Sequence, residues 1–165
     1  MRQYKANSTN SRTFSLTTDN TTIGELKYVN WYSFKAEIVL ADNSNYQLEP
    51  KGFWLTKIEL QKGGKTLLEL EIGWKGILIK SLLGGSEEKY LLKLKGLLGS
   101  KFGLIDTNEK ELLEVESDFK WKKLNFDYSI KTSDEFENIE NKDLLLLTTL
   151  HCVNYYIAFA NSSSF

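Results

Sequence analysis

The chemistry most openly offered by this chain lies in four consecutive residues, Lys120-Trp121-Lys122-Lys123. Three ammonium groups around one indole suit phosphate. The lysines supply charge, and the indole seats at a lipid interface or stacks on a base. Lys93, Lys95 and Lys101 would join the same anionic-headgroup surface if their strands lie close by. The plainer reading of such a run is a solvated inter-strand loop. Formal net charge is −1, so the overall balance speaks against nucleic acid.

Catalytic constellations are sparse. His151 and Cys152 are the only histidine and the only cysteine. A site with two histidine ligands and an internal disulfide are therefore both impossible within one chain. Adjacent helix residues point about 100° apart, so this pair is not a nucleophile beside its base. A satisfied core histidine and a small buried hydrophobe are expected instead. Asp106-x-Asn108-x-Lys110 resembles the start of a calcium loop, but it lacks the further oxygen ligands and the glycine, and reads as a hairpin turn. Glu114, Glu116 and Asp118 share one strand face, opposite Leu113, Val115 and Phe119, and are expected in water. Gly96, Gly99 and Gly103 fit no phosphate-loop spacing and read as bends or turns. These residues lead to the expectation of a non-enzymatic protein without cofactor or metal.

The elements that would position these residues are strands. Phe34, Ala36, Ile38 and Leu40 alternate with their neighbours. So do Leu68, Leu70 and Ile72; Tyr90, Leu92 and Leu94; and Phe126, Tyr128 and Ile130. Successive strand side chains point to opposite faces, so each run has one apolar and one largely charged face. Gly63-Gly64, Asp42-Asn43-Ser44-Asn45, Gly84-Gly85-Ser86 and Thr107–Lys110 separate the runs as turns. No helix-length crossover intervenes, so the sheet is expected to be antiparallel. Ten to twelve strands are expected between about Thr13 and Ile139, within a single domain covering residues 1–165. Residues 1–12, polar and rich in Ser, Thr and Asn, are expected to form a flexible N-terminus, with barrel strands over 13–140. Charge is uneven: residues 51–101 carry ten Lys against five Glu, and residues 102–143 carry six Lys against twelve acids.

The last segment differs. From Asp143 to Ala160 there is no alternation and no further charge. As a helix over residues 142–161 it is apolar on every side, and such a helix must be covered on every side. Its length is at the lower edge for a bilayer, and Thr148, Thr149, His151 and Asn154 suit lipid poorly. A barrel of more than eight strands leaves room for a helix about 10 Å across. The expected fold is thus mainly β: a closed antiparallel barrel of about twelve strands around a buried hydrophobic C-terminal helix.

That order of elements, with the Gly-containing strand Ile23-Gly24-Glu25-Leu26, the meander, the hairpin over Leu104–Val115 and the apolar C-terminal helix, resembles the tubby C-terminal-like superfamily. That superfamily includes the LURP-one-related proteins and the phospholipid scramblases. The resemblance is architectural and spans roughly Thr13 to Ala160. It implies a twelve-stranded barrel around a hydrophobic helix, and lipid- or membrane-associated roles rather than catalysis. No family residue transfers to a numbered position here. The expected function is a binding or scaffold domain recognising anionic phospholipid, a membrane surface or a protein partner through its outer surface. A cytoplasmic location, peripheral to membrane, is expected with it. The alternative is a carrier holding a small apolar ligand, such as a lipid, inside the barrel.

Overall fold

Side-chain alternation closes into a cylinder. In a computed structural model that describes residues 1–30, 33–54, 56–122 and 124–162, twelve strands follow one another. They are β1 (Arg2–Asn10), β2 (Thr13–Thr18), β3 (Thr21–Tyr28), β4 (Ala36–Leu40), β5 (Asn45–Lys51), β6 (Lys57–Lys62), β7 (Lys65–Gly73), β8 (Gly76–Ser81), β9 (Glu88–Lys95), β10 (Lys101–Ile105), β11 (Glu111–Lys120) and β12 (Asn125–Thr132). A short helix α1 (Asp134–Glu137) and the long helix α2 (Lys142–Ser162) complete the chain. Each strand pairs antiparallel with its sequence neighbours, and β1 pairs with β12 to close the barrel. Closure leaves no strand edge free, which removes the usual route to edge-to-edge aggregation.

The N-terminus corrects one expectation. Residues 1–12 are not a flexible leader, because Arg2–Asn10 is the strand that bridges β12 and β2. Tyr4, Ala6 and Ser8 face inwards and are buried, while the Ser, Thr and Asn residues between and beyond them face out. Only one of those three inward residues is large, so the apolar period is faint. The barrel strands accordingly run from Arg2 to Thr132 rather than over 13–140. The segment after β12 turns through α1, where the Ser133 side chain caps the helix by accepting from the Phe136 amide.

Helix α2 runs through the barrel. Leu144 to Leu147, Leu150 and Val153 are each at most 2% exposed, and its composition gives it almost no polar side. Its sequence also meets the length and hydropathy of a membrane span, yet two-thirds of the apolar stretch lies inside the chain's own wall. Burial of each such leucine is worth about 1.5–3 kcal/mol, and here the strands provide it. Asn141, at φ 59°, reverses the chain, and its carbonyl accepts from the amides of Leu144 and Leu145. Thr148 and Thr149 return their hydroxyls to the carbonyls of Leu144 and Leu145, so neither brings an unpaired polar atom into the core.

The helix needs one bare spot in the wall. Gly24 on β3 supplies it: a Cβ at that position would lie 2.8 Å from Leu147 Cδ1 and 2.8 Å from the Val39 carbonyl oxygen. Gly24→Val should therefore overpack the core and destabilise the protein by about 1–3 kcal/mol in urea denaturation. Adding Leu147→Ala should recover part of that loss. A Gly24→Val protein with unchanged stability would mean the helix does not sit against β3.

Candidate functional site

Because each strand reverses the direction of the one before it, successive connections go to opposite ends of the barrel. One end receives residues 19–20, 41–44, 63–64, 82–87, 106–110 and 133–141. Those connections carry nine Asp or Glu residues against one lysine, Lys110. The other end receives, among the described residues, 11–12, 29–30, 33–35, 52–54, 56, 74–75, 96–100, 121–122 and 124. These contain four cationic residues, Arg12, Lys35, Lys75 and Lys122, and no Asp or Glu. Alternate connections thus give the barrel an axial charge polarity.

The cationic end is also the apolar one. Its turns hold Phe53 and Trp54 at 91% and 81% exposed, Trp74 at 92%, Leu97 and Leu98 effectively fully exposed, and Trp121 at 80%. Leu124 follows in the same turn as Trp121, and Phe159 projects from the emerging C-terminal end of α2. At the acidic end the exposed large apolar residues are Met1 and Leu82. Local geometry explains the projection. Gly96 and Gly99 take φ +73° and +67°, so the chain doubles back and leaves Leu97 and Leu98 at the tip. Trp121 stands on a column of rings: Phe119 at 5.0 Å, then Phe126 at 5.1 Å from Phe119, then Tyr128 at 6.2 Å from Phe126. The edge-to-face contact with Phe119 holds the indole without burying it.

The lysines singled out in the sequence do not form one free cationic surface. Lys95 and Lys101 face outwards on paired strands, but cross-strand glutamates take them up. Lys95 bonds Glu111 at 2.8 Å and also Glu114, and Lys101 lies 3.8 Å from Glu114 and 3.7 Å from Glu116. The Lys95 ammonium holds the Glu114 carboxyl below the usual range. Lys120 pairs with Asp118, which raises its own pKa. Glu114, Glu116 and Asp118 therefore sit on the solvated outer face as expected, and there they neutralise three of the lysines. Lys93 shares that outward face, two residues from Lys95 on β9 and opposite Gly103 on β10. Trp121 and Lys122 do lie in the exposed turn, whereas Lys123 falls outside the described residues. Sequence reasoning missed Phe53, Trp54, Trp74, Leu97, Leu98 and Leu124. The signal available was large apolar residues sitting in turns, in every second connection.

The other candidates resolve as structure. Asp106 Oδ1 accepts from the amides of Asn108 and Lys110, which makes the segment a β10–β11 hairpin turn. Among the described residues no cluster of three or more His, Cys, Asp or Glu could hold a metal. Gly103 corrects an expectation: it lies within β10 rather than at a bend, and a Cβ there would meet Glu111 and Lys95 side chains at 2.9 and 3.0 Å. Cys152 is buried, and burial pushes its thiol well up, away from a reactive thiolate.

His151 is fully buried but only half satisfied. Tyr28 Oη lies 2.8 Å from its Nδ1, while Nε2 has no partner among the described residues. Asn154 Nδ2 donates to Tyr28 Oη at 3.1 Å, and Tyr128 Oη donates to Asn154 Oδ1. One helix is thus tied to β3 and β12 by a polar chain inside an apolar core. Desolvation holds the imidazole pKa down to about 3, so it stays neutral.

Neither a family model, nor a curated protein, nor a solved structure matches the chain.

The buried imidazole makes a pH prediction. The unfolded chain takes up a proton near pH 6.5, and the folded one does so only near 3, so this residue's contribution is complete above pH 6.5 and falls as pH drops. Wild type should lose about 2 kcal/mol more than His151→Gln between about pH 7.5 and 5, read from urea midpoints. Parallel pH curves for the two proteins would contradict the buried, neutral ring.

Proposed function

We propose that the protein is a non-enzymatic binding domain that seats the basic, aromatic end of its barrel on an anionic lipid surface. One observation carries this reading: the connections at that end combine exposed Trp, Phe and Leu with cationic side chains and exclude carboxylates. Tryptophan suits the headgroup layer, apolar tips suit the upper acyl region, and lysine suits anionic lipid. Each cation near such a surface contributes about 1 kcal/mol. Each large apolar side chain, if fully buried, contributes about 1.5–3 kcal/mol. The two contributions are of similar size, so binding should need both. Helix α2 occupies the space an interior ligand would take, which favours outer-surface binding over the carrier alternative. Kinship with the tubby C-terminal-like superfamily is part of the same proposal, supported by the order of elements. So is a cytoplasmic location peripheral to membrane, where the facing leaflet is the anionic one.

Co-sedimentation tests the proposal. The protein should pellet with vesicles of phosphatidylcholine containing a fifth of phosphatidylserine, and pellet much less with phosphatidylcholine alone. Trp54→Ser with Trp121→Ser should weaken binding at unchanged melting temperature, because both side chains are exposed. Lys75→Glu with Lys122→Glu should do the same, and raised salt should reduce binding of the unaltered protein. Equal pelleting with both vesicle types, or indifference to both double variants, would overturn it.

A further inference from the structure

The outer wall carries a trough that the lipid-facing end does not explain. Leu78 on β8, Leu91 on β9 and Ile105 on β10 are cross-strand neighbours in one row. They face outwards, because Ile77, Leu92 and Leu104 beside them fill the core. Elsewhere on these strands Lys80, Lys89 and Lys101 occupy outward positions. The row lines an open cavity of about 470 Å³, a size typical of small-ligand sites. A neighbouring cavity of about 370 Å³ shares Lys75, Leu78 and Leu91 and extends the trough to Trp74. Gly76 lets β8 and β9 approach closely beside it: its φ is +137°, and a Cβ there would lie 2.0 Å from the Leu92 carbonyl oxygen.

The trough is polarised. Lys75 and Lys93 line it and make no ion pair among the described residues; Lys75 rests over the Trp74 ring at 5.1 Å. Lys89, by contrast, is held by Glu87 at 3.2 Å. Beyond Ile105 come Asp106 and Glu109, which repel an anion from that end. Between the two ends the apolar row asks only for hydrocarbon.

We propose that this trough binds a medium-chain fatty-acid anion, free and monomeric. The alkyl chain lies over Leu78, Leu91 and Ile105, and the carboxylate points to Lys75 and Lys93. The inference goes beyond the lipid-surface reading and needs no membrane.

Titration of decanoate into the ¹⁵N-labelled protein, without vesicles, tests it. Saturable shifts should map to amides of β8, β9 and β10. Lys93→Glu, at a half-exposed position that the fold tolerates, should weaken binding about tenfold. Decanol should bind wild type no better than decanoate binds that variant. Leu91→Arg should abolish the shifts; if it fails to fold, Lys93→Glu still decides. Unsaturable shifts, shifts confined to the Trp54 and Trp121 turns, or indifference to Lys93→Glu would overturn the proposal. Vesicle binding by the same variants is read separately, so loss of decanoate binding leaves lipid docking standing, and the reverse.

Discussion

A helix with apolar side chains all round has no stable place in water, and the rest of this molecule follows from covering it. A single sheet face can shield only one side of α2. Twelve strands closed on themselves shield every side, and the strands gain in return a filling for an interior too wide for side chains alone. Neither partner is stable without the other, which ties the last twenty-one residues of regular structure to the first nine. The polar chain from His151 through Tyr28 and Asn154 to Tyr128 then sets the helix at one depth and rotation. A uniformly apolar rod could slide, whereas this one would leave buried polar atoms unpaired if it moved.

Filling the interior moves any binding to the outside, and the strand count decides where. Alternate turns reach opposite ends, so two independent sets of connections evolve along one chain. One set is acidic and built from short Asx and glycine turns. The other is cationic and tipped with rings. Such an axial separation of charge and hydrophobicity orients a molecule at a charged interface before any contact forms. The wall between the two ends is mostly laced by cross-strand Lys–Glu pairs, which contribute little stability singly but leave little net charge on the sides.

Much of this was legible from residue order. Period-two alternation exposes β4, β7, β9, β11 and β12 because large apolar residues recur on one face, and the uninterrupted run from Leu144 to Ala160 exposes the helix. β1 escaped because, of its inward positions Tyr4, Ala6 and Ser8, only Tyr4 is large, so no apolar period registers. The fate of the lysines was hidden for a different reason. Whether Lys95 and Lys101 are free depends on strand register, which places Glu111, Glu114 and Glu116 across from them. The end that gathers the rings depends on parity: Trp54, Trp74 and Trp121 lie far apart in sequence and share a face only because even numbers of strands separate them. The Trp74-Lys75 turn was missed because neither residue is a customary turn former; the flanking Gly73 and Gly76 do that work.

The threaded helix is the claim on which the remainder stands, and amide hydrogen exchange reads it most directly. If α2 is locked inside a closed wall, the amides of Leu146 to Val153 can exchange only when the barrel opens as a whole. Their exchange should then be the slowest in the protein, with an opening free energy equal to that of global unfolding. Exchange of those amides well ahead of the β11 and β12 strand amides would mean the helix leaves without the barrel, and would contradict the account.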